Sequence, residues 1–250
     1  MKIVYNKKEL TFGSLFDTEN IKQNVLRYFE TENEAMCSEW HLRFNSEIKE
    51  LNNFKQLSAD KNCLLDIGAQ FGAFSYTFLG DSVTKKSFAF DGGINPYLAM
   101  SQAKQLNSLD NFYPYNFLIG NQNEIVSCFS ETNQSLAIPG DDKKLMLSID
   151  MIVELFDVKP DVIKIDVEGC EFEVLKGAYN TIIEFNPTIF VEIHPKFMQM
   201  YNASTSNIAS FVNSINYKVL DLNQCVVENY LDILNQETTD SNRTIWVPNK

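Results

Sequence analysis

From Cys63 onward the chain alternates between apolar runs of strand length and segments with helical periodicity, and few architectures accommodate that rhythm. The runs CLLDI, SFAFD, FYPYNFLI, DVIKIDV, TIFVEIH and YKVLDL are separated by FSYTFL, YLAMSQAKQL, FEVLKGAYNTII and IASFVNSI. Strands joined through helices predict an α/β fold, a mostly parallel sheet with helices on both faces. Between about Asn121 and Phe156 the rhythm is interrupted by a strand EIVSCF, a polar loop containing PGDDKK, a strand LMLSI and a helix DMIVELF. The C-terminal RTIWVP reads as a last strand, antiparallel to YKVLDL.

The preceding residues follow another pattern, which divides the chain into an N-terminal hairpin and helical layer (1–58) and a main domain (59–250). MKIVYNKKELTF alternates around a polar centre and predicts a hairpin. Ile21, Val25 and Phe29, then Met36, Trp40, Phe44 and Ile48, recur at helical spacing, with TENE (Thr31 to Glu34) as a capping box between two helices. At 250 residues and 44% hydrophobic, the chain can bury one core with such an appendage. A net charge of −12 argues against a nucleic-acid partner, which would call for clustered Lys and Arg. The opening lacks a signal-type apolar stretch and no run is long enough to span a membrane, so a cytoplasmic location is expected. The five cysteines are scattered without a CxxC pair, which predicts buried free thiols rather than disulfides or a zinc site.

In an open α/β sheet, ligands bind beyond the carboxyl ends of the strands. The first of these strands ends in LLDIGAQFGAF, where Asp66 precedes Gly68, Ala69, Gln70 and Gly72. Small residues at that turn admit a ligand to the backbone, and the helix that follows offers free N–H groups. The GxxxG spacing departs from the GxGxxG dinucleotide fingerprint, and a tight turn with no ligand is the plainer alternative. SFAFD ends at Asp91, about 20 residues further on, where an acid accepts hydrogen bonds from both ribose hydroxyls of a nucleoside. The alternative is an Asp that only caps the DGGINP turn.

LLDIGAQFGAF, SFAFD with INP, YNFLIGNQNEIVSCF, LSID, DVIKIDVEGCEFEVLKGA and PTIFVEIHP follow one another in an order and spacing that resembles the FkbM-type methyltransferases. The resemblance runs from Asn62 to Pro195, with IKIDVEGCE as its most specific block. It implies a Rossmann-like fold with a seven-stranded sheet, S-adenosylmethionine as cofactor, and methylation of a hydroxyl group. It also implies that Asp66, Gly68, Ala69, Gln70 and Gly72 hold the amino-acid part of the cofactor and that Asp91 holds the ribose. Two departures stand out: Gln70 replaces the family's usual Asn, and FDGGINP replaces the commoner FEPNP, with a shorter acid and a longer loop. Asn95, Pro96 and Tyr97 superficially resemble the Asn-Pro-Pro-Tyr signature of amino-methylating enzymes, but that signature follows the fourth strand.

In DVIKIDVEGCE, Lys164, Asp166 and Glu168 alternate with Ile163, Ile165 and Val167, although a parallel strand is normally apolar on both faces. TIFVEIHP repeats the pattern with Phe190, Glu192 and His194. Buried charges cost several kcal/mol unless paired. Either they form a closed network, for instance Lys164 with Glu171, or they meet a polar ligand at the strand ends. An alcohol acceptor must lose a proton, and His194 or Asp166 is the candidate base, with His41 an ordinary helix residue. Alternatively Asp166, Glu168 and Glu192 hold Mg²⁺. The sequence therefore predicts an O-methyltransferase acting on a sugar, glycan or other small hydroxylated metabolite. A catalytically silent relative serving as a binding or assembly subunit is the runner-up, and an NAD-dependent dehydrogenase the third reading.

Overall fold

The computed structural model describes residues 2–5, 8–11, 50–130, 135–235 and 241–249. The expected N-terminal hairpin is there as β1 (Lys2–Tyr5) and β2 (Lys8–Thr11), paired antiparallel. Of the two long helices expected after it, only the end, residues 50–57, falls within the described residues; Cys37, His41 and the Thr31–Glu34 capping box lie outside them.

The main sheet has seven strands. Its centre is β3 (Cys63–Ile67), flanked by β4 (Lys86–Phe90) and β5 (Phe112–Tyr115) on one side. On the other side lie β10 (Val162–Ile165) and β11 (Thr188–Ile193), all five parallel. β13 (Asn242–Pro248) inserts antiparallel between β11 and β12 (Tyr217–Leu220), as expected of RTIWVP. The strand order reverses at β3, so the first turn and the β10 turn open into the same crevice.

Both faces are covered. Leu65, Ile67, Ile163, Ile165, Ile189 and Val191 pack on one side beneath later helices, and Leu64, Val162 and Phe190 pack on the other against Phe54, Tyr76 and Phe78. Phe54, from the segment 50–57, is fully buried between the rings of Phe74 and Phe190. That helix is thus part of the sheet's own core.

Two runs that read as single elements are split. FYPYNFLI breaks at Asn116: β5 stays in the main sheet, whereas β6 (Leu118–Ile119) joins a second sheet with β7 (Glu124–Ser130), β8 (Ser135–Leu136) and β9 (Asp142–Leu147). FEVLKGAYNTII divides into two helices, Glu171–Lys176 and Tyr179–Phe185. A Cβ on Gly177 would stand 2.0 Å from the Gly120 carbonyl oxygen, so only glycine fits at the break between the two helices. Cys63, Cys128 and Cys170 are buried free thiols, but Cys225 is exposed, contrary to expectation, because it sits in the turn after β12. No helix among the described residues is long and apolar enough to cross a membrane.

Candidate active site

Alternation along β3, β10 and β11 carries Asp66, Lys164 and Glu192 onto the face of Leu64, Val162 and Phe190, at its carboxyl end. There the charges pair. Lys164 Nζ donates to the Gly68 carbonyl at 2.9 Å and lies 3.4 Å from Asp166 Oδ2 and 3.9 Å from Asp66 Oδ1. Burial disfavours the Lys164 charge, but Asp166 and Asp66 outweigh it and hold the pKa above the ordinary lysine value. Glu171 is not its partner, as the sequence had suggested: it reaches His194 instead.

Asp66 is fully buried. Its Oδ2 accepts from the Ser75 N–H at 3.1 Å and from Ser75 Oγ at 2.6 Å. Ser75 lies in the first turn of the helix Ala73–Leu79, whose N-cap, Gly72, offers no side chain. Asp66 therefore caps that helix from the preceding strand, and it does not line the cleft. Ala69 and Gly72 are buried behind the turn and also stay off the wall. Gly68 and Gln70 do reach it, both with left-handed φ (+69° and +51°).

Asp91 lines the cleft beside them. Its Oδ2 accepts from the Gln70 N–H at 2.8 Å and its Oδ1 from the Gly93 N–H at 2.7 Å. Burial pushes its pKa up to about 6 against those two hydrogen bonds. The longer loop after β4 is stitched by Asn116 Nδ2, which faces the carbonyl oxygens of Asp91, Gly92 and Gly93 at 2.9 to 3.1 Å. Asn95, Pro96 and Tyr97 occupy the first turn of the next helix, Ile94–Leu106, far in the chain from the β10 turn.

The cleft is also lined by Asp166, Glu168, Glu192 and His194. Asp166 and Glu168 lie beyond the end of β10, so the alternation seen in the sequence ends at Ile165 and a turn aims both carboxylates. Glu168 has left-handed φ (+53°), and its pKa is raised, chiefly by burial. His194 Nδ1 is 2.8 Å from Glu171 Oε1, which also accepts the Gly169 N–H at 2.8 Å. Burial opposes a charge on His194, but the Glu171 hydrogen bond and the charges of Glu171, Asp166 and Glu168 raise its pKa to about 9. Glu192 Oε2 accepts from Arg243 Nε at 2.8 Å, and Oε1 accepts from Ser241 Oγ.

Several wall residues had no signature in the sequence. Phe117 comes from the FYPYNFLI run, Leu136 and Ala137 from the interrupted region, Tyr201 from the short helical turn Met198–Tyr201, and Arg243 from β13. Only Phe117 was approachable, because Asn116 interrupts an apolar run where a strand should end. Arg243 becomes visible only once β13 is paired opposite β11, which sets it beside Glu192.

Among solved structures, the fold resembles the methyltransferase FkbM of Methylobacillus flagellatus KT, with 15% identity and a TM-score of 0.51. That alignment covers 75% of this chain but 44% of the other, so the chain spans less than half of its length. A precorrin-6y C5,15-methyltransferase from Geobacter metallireducens GS-15 aligns with 10% identity and a TM-score of 0.43, over 78% and 87% of the two chains. No curated protein matches the sequence significantly. The family profile described as Methyltransferase FkbM domain matches residues 66–219, from the acid of the first glycine turn to the sixth strand of the main sheet. With most of the chain inside that match, and every cleft residue but Arg243 inside it as well, the chain belongs to the FkbM family of methyltransferases.

Proposed function

We propose that the chain is an S-adenosylmethionine-dependent O-methyltransferase acting on a hydroxyl of a sugar, glycan or other small metabolite. The observation that carries this reading is that Gly68, Gln70 and Asp91 share one cleft with Asp166, Glu168, Glu192 and His194. The first group suits a nucleoside cofactor. Each Asp91 oxygen already accepts one backbone N–H and keeps a second lone pair, so a pair of adjacent ribose hydroxyls matches it.

Bound there, S-adenosylmethionine supplies an electrophilic methyl group on a sulfonium. Transfer of that methyl group to an acceptor oxygen would break the carbon–sulfur bond, and the hydroxyl proton would pass to a carboxylate. Positioning alone contributes roughly 7 to 11 kcal/mol to such a step. We assign the proton to Glu168, which lines the cleft and whose pKa is raised, whereas His194 is engaged by Glu171 through Nδ1. Cys170 also lines the cleft, but burial pushes its thiol pKa far up, which argues against a thiolate nucleophile.

The test is incubation with methyl-labelled cofactor and pooled nucleotide sugars and glycans, with Glu168→Gln in parallel. Label on an acceptor hydroxyl, reduced about 100-fold or more in the variant, supports the reading. Saturable cofactor binding with no acceptor labelled in any pool would favour the silent binding subunit.

A further inference from the structure

We infer that the cleft binds one divalent transition-metal cation, best matched by Mn²⁺, between His194 Nε2 and carboxylate oxygens of Asp166 and Glu192. One ligand atom from each of the three lies within 4.8 Å of the others. Nε2 stands 3.9 Å from Asp166 Oδ1 and 3.7 Å from Glu192 Oε1. Those gaps are too long for hydrogen bonds. Two ligands on one ion, each about 2.1 Å from it, stand roughly 3 to 4 Å apart.

A second observation comes from His194 itself. Its side chain is only 8% exposed, and Nε2 points at the carboxylates without closing on any of them. A simple charge-assisted hydrogen bond to one of them would contract to about 2.8 Å. The ring is not free to turn away, because Nδ1 is held by Glu171, which is itself anchored to the Gly169 N–H. A carboxylate on the far nitrogen of an imidazole is the usual support of a metal-binding histidine. Glu192 is supported in the same way, by Arg243 on Oε2.

The donor set selects the ion. One imidazole among carboxylates is less suited to Mg²⁺ and Ca²⁺, which prefer all-oxygen shells, and no thiolate is offered to a soft metal. With three protein ligands on one wall, the remaining positions face the cleft. The use of those positions rests on the hydroxyl-methylation reading: they would take two neighbouring oxygens of the acceptor, which points to a vicinal diol or a hydroxy acid. The binding itself does not rest on that reading.

The experiment titrates Mn²⁺ alone into chelator-treated protein and follows the electron paramagnetic resonance signal of the free ion. The expected result is one bound equivalent, weakened at least tenfold in Asp166→Asn and in His194→Gln, with a directly coordinated nitrogen in the pulsed spectrum of the wild type. Asp166, whose side chain is 30% exposed, keeps the test open if the histidine variant does not fold. Binding that is unchanged in a folded Asp166→Asn protein, or bound Mn²⁺ without a coordinated nitrogen, overturns the site. Absence of one-equivalent binding up to millimolar Mn²⁺ overturns it as well. Stoichiometric Mn²⁺ with coordinated nitrogen but no labelled acceptor would uphold the site and count against the methylation reading instead.

Discussion

Gly68 earns its place for two reasons, and only one of them was visible in the sequence. The turn brings its backbone to the cleft wall, as a cofactor-binding glycine should. A Cβ built on it, however, would lie 1.7 Å from the Asp166 carbonyl oxygen, and its φ is +69°. Gly68→Ala should therefore lower stability by about 2 to 5 kcal/mol, from left-handed strain plus overpacking, in addition to any loss of binding. Denaturant titration of the purified variant checks this, and an unchanged midpoint would contradict it. Asp91 makes a prediction in pH. Its pKa is raised to about 6, so its charged form, the one that accepts from hydroxyl donors, dominates only above that value. Cofactor affinity should fall as pH drops through 6, approaching tenfold per unit, and calorimetry of Asp91→Asn should show that slope removed. The stability effect has the opposite sign. A carboxyl whose folded pKa exceeds its ordinary value contributes stability below about 4 and loses it as pH rises through 6.

At the scale of elements, β10 explains how far the sequence could be read. Its alternation was legible because parallel strands are seldom charged, and it correctly marked the end of the sheet where the cleft opens. Its pairing was not legible, because partners are set by register. Lys164 lies directly across from Asp66 on β3, a neighbour that no local pattern announces. The split of FEVLKGAYNTII was hidden for the same reason: Gly177 looks tolerable in a helix until Gly120 packs against it. Lys164→Met should leave Asp66 and Asp166 without their shared cation. Breaking a buried pair in this way costs about 3 to 5 kcal/mol, more than removing both partners. Adding Asp66→Asn should recover part of the loss, and a double-mutant cycle by urea unfolding measures the coupling. Additive effects of the two substitutions would mean the charges are independently solvated.

Across the whole molecule, a chain of charges ties the N-terminal region to the cleft. Glu50, at the start of the described helical segment 50–57, lies 3.2 Å from Arg243 Nε, which donates to Glu192 at 2.8 Å. These residues are nearly 200 positions apart at their extremes, on a helix, a parallel strand and an antiparallel one, so the sheet order had to be known before they could be connected. Glu50 is 4% exposed, and burial raises its pKa to about 8 despite the opposing guanidinium of Arg243. A carboxyl raised in the fold stabilises it below its ordinary pKa and ceases to do so as pH rises through the folded value. The protein should therefore lose stability progressively between about pH 4.5 and 8, as the unfolded chain releases the proton that the folded Glu50, buried beside Glu192, still holds. Glu50→Gln keeps the shape, cannot ionise, and should flatten that decline. Urea midpoints for the two proteins at pH 6 and pH 9 decide the matter: parallel curves would mean that Arg243 holds Glu50 ionised throughout, and that the link between the helix and the cleft is an ion pair at every working pH.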